Sequence, residues 1–305
     1  LRQLVKAGGI GEMSMNAAMT LSEALVGAVE RAAARTVRVD ARGRMAASGL
    51  LWSDGVVVAT DHTIEREDDL GITLPDGSST RATIAGRDPG SDLAVLRIAE
   101  GSTGPLEAAK SISVGQLVLA VGRPREIAAS AGILSAIGGP RRRRGGGAMS
   151  EFIRPDLTMY PGFSGGPLVD ARGAIIGINT SGLRGGALTI PLTAATTIVD
   201  QLLAHGRLKR GYLGLSSQPV RLPAGVAEQL GRETGLLTIG VETGSPADAG
   251  GMFVGDILLT LGEHLLSDTD DLRTALSAES GGQPVELRVL RGGVPLSLSI
   301  TIGER

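Results

Sequence analysis

The sequence predicts a mainly β protein built from two domains. Three observations predict it. The chain has 305 residues, and at about 150 residues per domain that is room for two cores. Glycine and proline number 46 and 14, about a fifth of the chain, which is below the ~25–30% of disordered segments and implies many tight turns. Between those turns the apolar residues fall in short runs of two to eight, strand-like in length. Only three Phe, two Tyr and one Trp are present, so the cores must be built from Val, Leu, Ile and Ala.

Residues 1–19 lack a clean apolar period and read as a mobile arm. A helix is expected next, because Leu21, Ala24, Leu25, Ala28, Val29 and Ala32 repeat at helical spacing. Thr20 followed by Glu23 reads as its capping box. From Val37 the period changes. Runs 45–52 and 56–60 flank Asp54-Gly55, and runs 72–74 and 81–85 flank Asp76-Gly77; both dipeptides are hairpin signals. Further runs follow at 94–98, 117–122, 132–137, 168–169, 174–179 and 187–190. Many strands at this spacing form a barrel or a sandwich. Residues 193–204 read as a helix stopped by Gly206. Arg207–Arg210 forms a basic hinge, so the domains are expected at 1–35 (arm and helix), 36–206 and 211–305. In the last, strands are expected at 236–241 and 257–261, a helix at 268–278, and a two-strand unit around Arg291-Gly292-Gly293.

Composition removes several function classes. Net charge is −2, which argues against a nucleic-acid binder. Cysteine is absent, so disulfides, thiolate catalysis and Cys-based zinc sites are excluded. The three histidines, His62, His205 and His264, have no metal-binding spacing, and no Gly-Lys pair forms a P-loop. Asp268, Asp270 and Asp271 read as helix N-terminal acids, since Arg273 stands where a calcium loop needs Gly. No metal or cofactor is expected.

The most informative stretch is Tyr160-Pro161-Gly162-Phe163-Ser164-Gly165-Gly166-Pro167-Leu168. Alone, it is equally an ordinary Gly/Pro turn. A nucleophilic Ser needs a sharp turn and nearby N–H groups for the oxyanion, and glycines on both sides permit that backbone. His205 and His264 both read as surface positions. His62 follows a buried-looking run and is the base by elimination. Asp92 directly precedes an apolar strand run and is favoured as the orienting carboxylate over Asp88, whose Asp-Pro-Gly context is turn chemistry. The chain order His, Asp, Ser is that of chymotrypsin-like enzymes.

With these residues in hand the chain resembles the HtrA/DegP-type serine proteases with a C-terminal PDZ domain. The resemblance runs from about Leu21 to Arg305. It is carried by Arg87-Asp88-Pro89-x-x-Asp92-Leu93-Ala94-Val95-Leu96, Pro161-Gly162-x-Ser164-Gly165-Gly166-Pro167-Leu168 and Ile176-Gly177-Ile178-Asn179-Thr180. Gly211-Tyr212-Leu213-Gly214-Leu215, Ser245-Pro246-Ala247 and Gly255-Asp256-Ile257-Leu258 match the PDZ part. It implies a chymotrypsin-like double β-barrel followed by a PDZ domain, with the triad His62, Asp92 and Ser164 between the barrels. Gly162, Phe163 and Ser164 would form the oxyanion loop, and Ile178, Asn179 and Thr180 the substrate pocket. Tyr212, Leu213, Gly214 and Leu215 would capture C-terminal peptides. The implied partners are unfolded or misfolded proteins and further copies of the chain in a homotrimer or larger assembly. The implied location is extracytoplasmic or periplasmic, with a membrane anchor upstream of Leu1 left open. The alternative class is a catalytically silent relative acting as a chaperone or peptide-binding scaffold.

Three departures stand out. The family has Thr-Asn-x-His-Val where this chain has Ala59-Thr60-Asp61-His62-Thr63, and a glycine pair where it has Ser48-Gly49. It also has Asn where this chain has Phe163. A Phe cannot hydrogen-bond its neighbours, so a poorly packed ring would leave the oxyanion loop misformed and basal activity low. The arginines at 141–144 fall where the family carries a regulatory loop; a solvated loop is the plain reading.

Overall fold

Valine-rich runs broken by glycine give two closed barrels and a smaller sheet. The structure, a computed structural model, describes residues 6–43, 45–99, 101, 103–138, 152–183, 186–208, 211–278 and 282–304. The arginines at 141–144 and the end of the basic hinge lie outside these residues.

The first helix, α1, spans Lys6–Ala33. From Lys6 on this corrects the mobile arm, and it corrects the cap at Thr20; residues 1–5 of the expected arm lie outside the described residues. Helical hydrogen bonds are local to the backbone, and an apolar period marks only a buried face. Thr20 lies inside the helix and its Oγ1 donates to the Asn16 carbonyl at 2.9 Å, as a mid-helix Thr does. The periodic half buries Ala28 and Ala32, with Leu25 and Val29 packed beside them. Arg123 holds the exit of α1, donating from Nη2 to the Ala33 carbonyl and from Nε to the Thr36 carbonyl.

The first barrel contains β1 (Thr36–Asp40), β2 (Ala47–Ser53), β3 (Val56–Ala59), β4 (Leu70–Thr73), β5 (Ser79–Asp88) and β6 (Leu93–Ile98). It closes in the order β1-β2-β3-β6-β5-β4. Both expected hairpins form, and Gly55 and Gly77 take the left-handed conformations their turns require, with φ of +69° and +88°. Val37, Val39, Val57, Leu70 and Leu96 fill the interior.

The second barrel contains β7 (Leu117–Gly122), β8 (Ala128–Gly138), β9 (Phe152–Asp156), β10 (Pro167–Asp170), β11 (Ile175–Thr180) and β12 (Leu188–Pro191), closed in the order β10-β11-β12-β9-β8-β7. Strand β9 was not expected. Arg154 and Pro155 interrupt its apolar pattern, yet Phe152 and Ile153 are buried and Ile153 pairs with Ile137. Helix α2 (Leu192–His205) ends at Gly206 with φ +72°, whose N–H donates to the Leu202 carbonyl.

The described chain falls into two units, one through Leu208 and one from Gly211 on. The second unit holds β13 (Gly211–Tyr212), β14 (Leu215–Arg221), α3 (Ala224–Leu230), β15 (Thr234–Val241), α4 (Pro246–Ala249), β16 (Ile257–Leu261), β17 (His264–Leu265), α5 (Thr269–Ala278), β18 (Pro284–Arg291), β19 (Val294–Thr301) and β20 (Gly303–Glu304). Its main sheet runs β14-β15-β16-β18-β19, β13 pairs with β20, and β17 pairs with β16. Leu236, Leu258, Leu287, Val289 and Ile300 form its core. The sequence pattern missed β14, because Pro219 sits within it. Pro is tolerated there because β14 is an edge strand.

Candidate active site

The site forms where the barrels meet. Strand β3 runs out into a single 3-10 turn, Asp61–Thr63, which presents His62. Arg87, near the end of β5, clamps that turn. Its Nε donates to Asp61 Oδ1 at 2.6 Å and its Nη2 to the Ile64 carbonyl at 3.2 Å. Asp61 thus faces an arginine.

Asp92 precedes β6 and has φ +60°, a conformation that Asp tolerates better than most residues. Its backbone and carboxylate both turn back to the His62 turn. The Asp92 carbonyl accepts from Asp61 N–H at 3.1 Å, and Oδ1 accepts from His62 N–H at 2.9 Å. His62 Nδ1 lies 3.0 and 2.9 Å from the two carboxylate oxygens. A carboxylate only accepts, so the proton sits on Nδ1 and Nε2 is left as the acceptor. Thr180 Oγ1 donates to Asp92 Oδ2. The carboxylate is only 5% exposed, against 30% for the His62 side chain. Asp88, the competitor, is occupied in its own turn, accepting from Ser91 N–H at 2.6 Å.

Ser164 comes from the second barrel. Gly162 has φ +89° and Gly165 φ +88°, so each glycine beside the serine is required by its backbone. Carbonyl orientation in the loop is fixed on three sides. Ser48 Oγ donates to the Gly162 carbonyl at 2.6 Å, Gly166 N–H to the Phe163 carbonyl at 3.0 Å, and Ser48 N–H to the Ser164 carbonyl at 3.1 Å. Among the described residues, the N–H groups of Gly162 and Ser164 have no acceptor within the protein.

Phe163 does not leave this loop unsupported. Its ring is fully buried among Val118, Ala120, Leu134 and Leu168, and meets Tyr160 edge-on with centroids 5.5 Å apart. Gly122 makes room for it, since a Cβ there would lie 2.6 Å from the ring. Packing replaces the hydrogen bonding an Asn would supply. The poorly packed ring on which a misformed loop would depend is therefore not seen.

Strand β11 backs the turn. Ile178 and Asn179 are fully buried, and Asn179 Nδ2 donates to the Pro167 carbonyl at 2.8 Å. Just beyond β11, Ser181 Oγ lies 3.0 Å from Ser164 Oγ, and Ser181 N–H donates to the same oxygen at 3.3 Å. A Cβ on Gly182 would fall 2.4 Å from His62 Nδ1 and 2.7 Å from Asp92 Oδ2. Sequence reasoning missed Ser181, Gly182 and the role of Ser48. Only Ser48 had left a signal, as the broken glycine pair. His205 is exposed and His264 half-buried.

In the second unit, Gly211–Leu215 borders a groove of about 720 Å³ between β14 and α5, with Leu272, Arg273 and Leu276 opposite. Gly214 has φ +75° and packs against Ser245 and the Tyr212 hydroxyl.

A trypsin-like peptidase domain model matches residues 47–178, and a PDZ domain model matches residues 211–302. A probable periplasmic serine endoprotease DegP-like from Ectopseudomonas mendocina is 34% identical over 265 residues, 83% of this chain. The chain belongs to the DegP-like (HtrA-type) serine endoproteases. It spans about half the length of this curated relative, 55%. Among solved structures, the HtrA-type protease AlgW with a decapeptide superposes with a TM-score of 0.76 at 28% identity, covering 92% of this chain and 98% of that one. A serine endoprotease from Yersinia pestis gives a TM-score of 0.75 at 27% identity, over 92% and 98%. The DegP-like fold, two six-stranded barrels and a PDZ domain, is the one predicted from the sequence. Among the described residues, no helix is long and apolar enough to cross a membrane.

Proposed function

We propose that this chain is a serine endopeptidase acting on unfolded protein segments. Ser164 Oγ attacks the scissile carbonyl, His62 Nε2 takes the proton and returns it to the leaving amine, and Asp92 holds the imidazole tautomer. The N–H groups of Gly162 and Ser164, flanking Phe163, stabilise the oxyanion. Ile178, Asn179 and Thr180 back the pocket for the side chain before the scissile bond. No cofactor enters this chemistry. The observation that carries the reading is the Asp92 carboxylate on His62 Nδ1 beside a serine with two unengaged N–H donors.

In the PDZ domain, Tyr212, Leu213, Gly214 and Leu215 bind a peptide's terminal carboxylate while the peptide adds as a strand to the open edge of β14. Peptides bound to the AlgW structure support this mode. The periplasmic relative supports action outside the cytoplasm. Self-assembly belongs to the same reading, with α1 leaving Met19, Leu21 and Val26 about half exposed.

One observation favours a second reading, a silent peptide-binding scaffold: Ser164 Oγ is hydrogen-bonded to Ser181. Digestion of fluorescent casein separates the two. The enzyme reading expects cleavage that Ser164→Ala abolishes; equal residual signal in both proteins supports the scaffold.

A further inference from the structure

The nucleophile assigned above does not rest on its base. Among the described residues, the partners of Ser164 Oγ are the hydroxyl and the amide of Ser181. A serine hydroxyl has one proton to give and two lone pairs to share. If Ser164 donates to Ser181, its proton is turned away from His62 Nε2. If Ser181 donates instead, its O–H and N–H together occupy both lone pairs, including the one that must reach the carbonyl carbon. Either arrangement must break before attack.

Ser181 is exposed, as is Gly182. Nothing in the packing of the core needs a hydroxyl there. Gly182 N–H donates to Thr180 Oγ1 at 3.0 Å, and Thr180 Oγ1 in turn donates to Asp92. The end of β11 therefore contacts the carboxylate and the nucleophile within two residues, and Gly182 packs against the imidazole.

We propose that Ser181 is a positioning residue that sets the resting orientation of the Ser164 hydroxyl and keeps it from attack until substrate displaces it. This rests on the nucleophile reading of Ser164. Its side chain acts on the approach to the transition state, not on substrate affinity. Loss of one neutral hydrogen bond of this kind is expected to raise turnover by about three- to tenfold.

The test uses the full chain with a fluorophosphonate probe and fluorescent casein. Ser181→Ala should speed labelling of Ser164 and raise casein kcat by that factor, with KM within about twofold. Ser181→Thr keeps the hydroxyl and should restore slow labelling, which a merely structural role would not do. Wild-type or slower labelling in Ser181→Ala, or equal acceleration in Ser181→Thr, overturns the proposal while leaving the nucleophile reading intact. Absence of labelling in every variant overturns that reading and the positioning role with it.

Discussion

Replacing Gly182 by Ala probes the site with one methyl group. Gly182 does not occupy the left-handed region, so alanine brings no backbone strain, and the position is exposed. The added Cβ would lie 2.4 Å from His62 Nδ1 and 2.7 Å from Asp92 Oδ2. Ordinary contact begins near 3.4 Å, so the imidazole must retreat by about 1 Å or the Asp92 pairing must open. A displacement of that size in a reacting group costs on the order of 10²-fold. Fold stability should fall by about 1–3 kcal/mol, the usual cost of overpacking, because the methyl presses on the buried Asp92 and its imidazole partner. Melting should drop by no more than about 10 °C, while casein kcat falls by about 10²-fold. A kcat within threefold of wild type would show that the His62–Asp92 geometry is not what turnover depends on.

Further outcomes are expected elsewhere. Phe163→Asn should lower Tm by about 10 °C and reduce activity, because a fully buried ring gives way to an amide without partners and losses of ~3–5 kcal/mol accompany such cavities; unchanged melting with faster turnover would contradict the packing role. In the PDZ domain, burial pushes the Asp256 carboxyl up, but hydrogen bonds from Arg291 and from Phe253 N–H outweigh it and hold the group below its ordinary value. A depressed native value stabilises above the unfolded-state value near ~3.9 and is lost as pH falls through the native one. The Tm advantage of wild type over Asp256→Asn should thus be constant from about pH 7 to 5 and shrink below about pH 4; a gap that ignores pH would refute the pairing. Amidating the C-terminus of a peptide bound by the full chain should weaken it about tenfold or more, as charge-assisted bonds are lost; equal anisotropy curves for acid and amide would count against carboxylate capture.

The barrels were legible because their signals are local. Asp54-Gly55 and Asp76-Gly77 encode their own turns, and the β-branched run Val56–Ala59 between them suits a buried strand. Strand β9 was not legible, because Ile153 is buried by pairing with Ile137 across a long connection while Arg154 and Pro155 mask its pattern. The first half of α1 escaped for a related reason: periodicity reports burial, and a helix can form without it. At the site, His62 and Asp92 announced themselves by lying at strand ends in a suggestive order. Ser48 and Ser181 could not, since each owes its importance to a residue 116 or 17 positions away that only folding brings near. Phe163 was legible as a departure, but the packing of its ring was not, because the space for it comes from the missing Cβ of Gly122.

The central claim is that Ser164 is a nucleophile activated by His62. Treating the chain with a fluorophosphonate and mapping the adduct by mass spectrometry tests it directly. One adduct, on Ser164, is predicted, absent from Ser164→Ala and slowed by at least about 10³-fold in His62→Ala. An unmodified Ser164 in the wild-type chain, or labelling that His62→Ala leaves at full rate, would contradict it.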